Sequence, residues 1–122
     1  MAIAAAPTAN FMTKEVFDYL NDSTTATSTS LAATASARNA VITTEALTTA
    51  AGASAAFVIT NTQVAIGDIV HAQMIGGTNT AGALEIKCVA AAGSVTITLT
   101  NRHASAAFNG TFKLGVVLFK TA

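Results

Sequence analysis

The chain has 122 residues, 10% charged and 52% apolar, and its six basic and six acidic side chains cancel to a formal net charge of zero. That length suits one domain with room for a terminal arm, and the low charge sets it apart from ordinary soluble proteins at about 25%. Lys14, Arg38, Lys87, Arg102, Lys113 and Lys120 are scattered rather than clustered, which argues against a nucleic-acid footprint, and no stretch approaches the ~18 consecutive apolar residues of a spanning helix.

Much of the apolar fraction is alanine, and threonine is abundant beside it. Such a surface is neutral and easily desolvated, whereas a freely diffusing monomer usually keeps more charge to oppose association. The composition therefore predicts a protein largely covered by copies of itself or by a larger assembly. The start, MAIAAAPTA, has no positive n-region and is broken by Pro7; it makes a poor signal peptide, and synthesis in a cytoplasm is expected. Cys88 is the single cysteine, so no intrachain disulfide and no cysteine cluster for metal can form.

Residues 1–37 read as an N-terminal arm. Phe11 to Leu20 has the makings of one or two helical turns, with Asn10 placed to cap it and Lys14 and Asp18 four apart. Phe11, Val16, Phe17 and Leu20 would form its apolar stripe, with Tyr19 off it. So short a helix needs something to pack on. Phe11, Phe17, Tyr19 and Leu20 are the candidate partner-contact residues, too bulky for a purely solvated tail. Asn21 to Ala37, NDSTTATSTSLAATASA, has little apolar bulk and no evident period; it reads as a linker or extended segment.

From Arg38 to Ala122 the pattern is β. Val41 to Leu47 is a Val/Ile/Thr run, Ala55 to Asn61 a short apolar strand, and Asp68 to Ile75 a strand after the Ile66-Gly67-Asp68 turn. In Ala83 to Val89, Leu84, Ile86 and Cys88 share one face and Glu85 and Lys87 the other. In Ser94 to Thr100, Val95, Ile97 and Leu99 point inward and Thr96, Thr98 and Thr100 outward. Period two with one apolar face marks an antiparallel sheet lying on a core. Asn109-Gly110 is a favoured two-residue hairpin pair and is expected to turn the chain into the last strand, Phe112 to Phe119. There Phe112, Leu114, Val116 and Leu118 form the core face, while Val117 and Phe119 suggest cover on the second side as well. Many short strands with turns every 8–12 residues indicate an all-β fold, a β-sandwich of jelly-roll type, with an extended N-terminal arm.

Side chains able to do chemistry are few. His71 lies within a strand, on the face of Ile69 and Gln73, and His103 follows Asn101-Arg102 at a strand end. They could meet Asp68 or Glu85 in an acid/base or metal site, yet no HxH, HExxH or cysteine cluster requires it. A hydrogen-bonded structural or intersubunit histidine is the simpler reading. The β region holds no close pair of carboxylates, and the chain has no nucleophile elbow or phosphate-binding glycine loop. Cys88 reads as a small core residue, and the Thr96/Thr98/Thr100 ladder as a solvated sheet face. No enzyme activity, catalytic residue, cofactor or metal is expected.

The series Gly77-Thr78-Asn79-Thr80-Ala81-Gly82, Ala92-Gly93-Ser94-Val95-Thr96-Ile97 and Asn101 through Leu114 (NRHASAAFNGTFKL) resembles a small β-domain of tailed-bacteriophage virion proteins. Capsid decoration (cement) proteins are the best fit, and fibre-associated proteins carry similar sequences. The resemblance spans about Arg38 to Phe119 and rests on turns and strands. It implies a trimeric sandwich or jelly roll on the outside of a phage head, made in the host cytoplasm, whose partners are its own copies and the major capsid protein, with neither nucleic acid nor membrane. The alternative is a fibre or receptor-binding domain recognising a host surface ligand. A third, more distant class is a small hydrolase or cupin-like metal protein, which would need a cluster of His and carboxylate ligands.

Overall fold

In the computed structural model, which describes residues 22–79 and 83–121, the chain forms ten strands and no helix among those residues. They are β1 (Ser23–Thr27), β2 (Ala32–Thr34), β3 (Asn39–Thr43), β4 (Leu47–Thr49), β5 (Ser54–Thr60), β6 (Ile69–Gly76), β7 (Leu84–Ala91), β8 (Ser94–Asn101), β9 (Phe108–Gly110) and β10 (Lys113–Phe119). One four-stranded sheet has the order β1-β3-β10-β6 and the other β2-β5-β8-β7; β4 and β9 pair separately. The fold is all-β.

The pairing is nested. β3 pairs antiparallel with β10, β4 with β9, and β5 with β8. The chain therefore makes one long two-stranded ribbon that leaves the first sheet at β3/β10, turns a corner at β4/β9 and enters the second sheet at β5/β8. β6 adds to the outside of β10 and β7 to the outside of β8. Both sheets supply one core: Ala40, Ile42, Leu114 and Leu118 from the first, Phe57, Ile59, Val95, Ile97 and Leu99 from the second. Phe108 and Phe112, on either side of the corner, stack edge to face with ring centroids 5.1 Å apart. Each such side chain, fully buried, stabilises the fold by about 1.5–3 kcal/mol.

Local alternation is where it was expected in β7, β8 and β10. Leu84, Ile86 and Cys88 pack toward the core with Glu85 and Lys87 exposed. Val95, Ile97 and Leu99 are buried. Phe112, Leu114 and Leu118 are buried too, with Val116 half-buried beside them.

Four expectations are corrected. The arm does not extend to residue 37: β1 pairs parallel with β3, and β2 parallel with β5. Ala26 and Ala33 pack on the core, and Ala35 and Ala37 are buried. The burial in β1 does alternate, but its inward residues are only Thr24 and Ala26, too small to register as an apolar face. The candidate partner-contact residues Phe11, Phe17, Tyr19 and Leu20, with the short helix expected to carry them, lie outside the described residues.

The run from Val41 to Leu47 is two strands, not one. Between them Thr44 turns inward, its N–H donating to the Phe112 carbonyl (2.8 Å) and its Oγ1 accepting from the Phe112 N–H (2.8 Å).

Asn109-Gly110 is not a hairpin turn. The pair belongs to β9, with Asn109 opposite Thr48 and Gly110 opposite Leu47, at the corner of the ribbon. Gly110 does adopt positive φ, +116°, and it also leaves no room for a side chain: a Cβ there would sit 2.8 Å from Thr78 Oγ1 and 2.9 Å from the Thr78 carbonyl carbon. Finally, the second side of β10 is not covered at its end, because Phe119 stands 54% exposed among the described residues.

Candidate functional site

The residues singled out for chemistry are dispersed, and each has a structural partner or an open setting. His71 lies on the outer face of β6, exposed, opposite Val117 of β10. His103 follows β8 in the other sheet, where its Nδ1 accepts from the backbone N–H groups of Ser105 (3.1 Å) and Ala106 (2.9 Å). That shapes the 103–106 loop around Asn101, whose fully buried amide donates to the carbonyls of Thr49 (3.1 Å) and Ala106 (2.8 Å) and accepts from the His103 N–H (2.9 Å).

Glu85 pairs with Arg102 at 2.6 Å on the surface. Asp68 accepts from Lys120 Nζ at 2.5 Å and from the Ala65 N–H at 2.8 Å. Its side chain is 2% exposed, and these bonds hold the carboxyl at about 2, below the usual 3.8. Lys120 also donates to the Gln63 carbonyl (2.8 Å); the cluster seals the end of β10 onto the 61–68 loop. Cys88 is half-buried, and burial pushes its thiol up, opposed more weakly by a backbone bond from Ala72. A raised thiol is a poor nucleophile at neutral pH. Among the described residues no group of three or more His, Cys, Asp or Glu is placed to hold a metal. The hollow between the sheets, lined by residues such as Ala35, Ile42, Val64 and Leu118, holds about 10 Å³, the room of one water.

What the structure does present is surface. On the second sheet the outward positions of β5, β8 and β7 align in rows: Val58, Thr96, Val89; Ala56, Thr98, Lys87; Ser54, Thr100, Glu85. Only the last two rows carry a charge. Val58 and Val89 are about half exposed. On the first sheet the outward rows are Ser23, Asn39, Val117, His71 and Thr25, Val41, Gly115, Gln73, with Phe119 opposite Ile69 beyond them. Ile69, Ile75 and Phe119 are more than half exposed. The sequence carried this signal in part: Ile69 and Ile75 occupy the His71 face of an alternating strand, where a solvated sheet would place polar residues.

A further feature had no sequence signal. Between β1 and β2 the chain reverses at Ser30 (φ +52°) and Leu31 (φ +63°), with Thr29 and Ala32 exchanging both backbone bonds. This is the geometry of a tight primed turn, which favours Asn and Gly. Here Glu45 holds it: Oε1 accepts from the Leu31 N–H at 2.7 Å and from Ser28 Oγ at 2.9 Å. Leu31 is left exposed at the tip.

Comparison of the chain with protein-family models, with curated proteins and with solved structures returns no match.

Proposed function

We propose that this is a non-enzymatic structural virion protein, a decoration or cement protein that assembles as a trimer on the outside of a bacteriophage head and stabilises contacts between major capsid subunits. The observation that carries the reading is the character of the two outer sheet faces. The second sheet's face is paved with Thr, Ser, Ala and Val beside Lys87 and Glu85, the first sheet's mixes Ser, Thr and Val with Asn39, His71 and Gln73, and together they bear few charges and expose Val58, Val89, Ile69, Ile75 and Phe119. Small neutral side chains cost little to desolvate, and exposed aliphatics gain from cover. The resemblance of residues 77–114 to phage head proteins points the same way.

The nested β3–β10, β4–β9 and β5–β8 ribbon supports a jelly-roll-like sandwich, since that fold is a paired ribbon wrapped around its own core. Mechanistically, a trimer that adds weak contacts across capsomer boundaries is held by multivalency: once one subunit binds, the others face their sites at high effective concentration.

The decisive experiment is to count copies on purified particles by quantitative gel or electron microscopy. Hundreds of copies per head are expected. A handful at a tail or fibre would replace this reading with host-surface recognition. In solution, light scattering at about 10 μM, where an association free energy of roughly 7 kcal/mol half-populates a complex, is expected to give a trimer; a monomer there would count against it.

A further inference from the structure

We propose that the free edge of β7 is a self-association surface: two copies of the chain pair their β7 strands antiparallel about a two-fold axis at Ile86, joining two β2-β5-β8-β7 sheets into one. The contact stands independently of the virion role, and it leaves the outer faces of both sheets open.

β7 is the last strand of its sheet, with β8 on one side and, among the described residues, no strand on the other. Just before it, the Arg102 N–H donates to the Ala83 carbonyl at 2.8 Å, continuing the register that places Leu84 opposite Asn101. Bonded and non-bonded pairs alternate along an antiparallel ladder. Glu85, Lys87, Val89 and Ala91 therefore bond to β8, and the N–H and C=O groups of Leu84, Ile86, Cys88 and Ala90 point to the open side.

An open edge is ordinarily blunted by shortness, proline or a bulge. β1 and β2 have only five and three residues, and β6 turns its edge toward β7, where the Ala72 N–H donates to the Cys88 sulfur. β7 runs for eight residues in unbroken register with β8 and holds no proline. Its inward side chains Leu84, Ile86, Cys88 and Ala90 are only partly buried, although Val95, Ile97 and Leu99 beside them in β8 are fully buried. One more strand would complete their cover.

The charges say which strand. Glu85 and Lys87 are the only charged residues of β7, both outward and exposed. With the axis at Ile86, Glu85 lies opposite Lys87 of the second copy, twice over, and Ile86 opposite its own equivalent. Centring the axis on Glu85 or on Lys87 would oppose like charges, which destabilises, and no other symmetric register brings the two signs together. Arg102 donates to Oε1 of Glu85 at 2.6 and 3.0 Å, so the second carboxylate oxygen is the one that Lys87 of the second copy reaches. The Ile86 pair and the two pairs of Leu84 with Cys88 are those whose backbone groups face the open side, so they exchange the ladder bonds. A two-fold contact joins one patch to itself, whereas a three-fold ring joins two different patches; this contact is therefore separate from any that builds a trimer. One strand from each copy buries less than the roughly 1,200 Å² of a standard interface, so the pairing is weak and fills only well above micromolar concentration.

The test uses full-length protein in two variants, Glu85→Cys and Lys87→Cys, each also carrying Cys88→Ala so that the new thiol is the only one. In a mixed pair the two thiols face each other across a non-bonded pair with Cα atoms about 4.5 Å apart, within disulfide reach, while the remaining Glu85 and Lys87 still oppose one another. With oxidised glutathione at about 0.5 mM protein, where contacts too weak for micromolar association fill, the mixture is expected to give at least fivefold more disulfide-linked pair on a non-reducing gel than either variant alone. No linked pair in the mixture would overturn the proposal. So would linking as strong in one variant alone, which would move the axis to residue 85 or 87, or equal linking in all three samples, the mark of random collision. Should a variant fail to fold, hydrogen exchange at the Ile86 amide of the unchanged protein decides it: slowing at least threefold between about 10 μM and 1 mM upholds the pairing, and an unchanged rate sinks it.

Discussion

Gly110 and Thr78 touch through their backbones: a Cβ built on Gly110 would stand 2.8 Å from Thr78 Oγ1 and 2.9 Å from the Thr78 carbonyl oxygen. The neighbouring residues approach as closely, since a Cβ on Gly77 would collide with the Thr111 carbonyl oxygen. Around it Thr78 Oγ1 accepts from the Thr111 N–H at 3.0 Å, and the Asn79 N–H donates to the Thr111 carbonyl at 2.9 Å. The end of β6 is thereby tied to the corner of the ribbon.

Gly110→Ala should therefore combine backbone strain of about 1–2 kcal/mol with overpacking of about 1–3 kcal/mol. Gly52 isolates the first effect, because its φ is +78° and nothing lies within 4 Å of an added Cβ. Denaturant unfolding is expected to show Gly110→Ala at least 1 kcal/mol less stable than Gly52→Ala. Equal losses would mean that the contact with Thr78 yields freely.

The Ser30-Leu31 reversal predicts a gain. Both residues hold left-handed φ, at about 1–2 kcal/mol each for a side-chain-bearing residue. Replacing the pair by Asn-Gly fits the turn's own preference and should raise the melting temperature, by roughly 1–2 kcal/mol of stability. Glu45→Gln should lower it, because the carboxylate that accepts from Leu31 N–H and Ser28 Oγ is lost. A destabilised Asn-Gly variant would show that Leu31 contributes more by contact than it costs in strain.

Acid sensitivity should trace to Asp68. Its carboxyl is held at about 2 in the folded chain against 3.8 ordinarily, so its contribution to stability is complete above about pH 4 and disappears as pH falls toward 2. Asp68→Asn is expected to be less stable at pH 7 and to flatten the stability profile between pH 4 and 2; Lys120→Met should flatten it in part. Profiles that keep the parent's slope in Asp68→Asn would assign the acid transition to other carboxylates.

Truncation distinguishes the two halves of the N-terminal region. Removing residues 1–21 leaves every described strand in place and should preserve the cooperative transition. Removing 1–37 deletes β1 and β2, uncovers one edge of each sheet and strips Ala26, Ala33, Ala35 and Ala37 from the core. That protein should fail to fold cooperatively by calorimetry. A normal transition would return β1 and β2 to the status of an accessory arm.

Strands β7, β8 and β10 were legible in the sequence because alternation is a local property: Leu84/Ile86/Cys88, Val95/Ile97/Leu99 and Phe112/Leu114/Leu118 declare their inner face whatever they pair with. β1 and β2 were not, since Thr24, Ala26 and Ala33 are inward without being large, and only the partners β3 and β5 reveal that they are strands. Asn109-Gly110 shows the same division. The need for positive φ at Gly110 was readable from residue type, but a ribbon corner and a hairpin turn ask for similar residues, and the choice fell to Leu47–Thr49, some 60 positions away, which pairs with Phe108–Gly110. The exposure of Phe119 and Ile69 likewise depends on which strands lie beside them. Period, turn propensity and charge are carried by neighbours in the chain and so by the sequence itself; nesting, corner and open face arise from contacts distant in sequence, which only the folded structure decides.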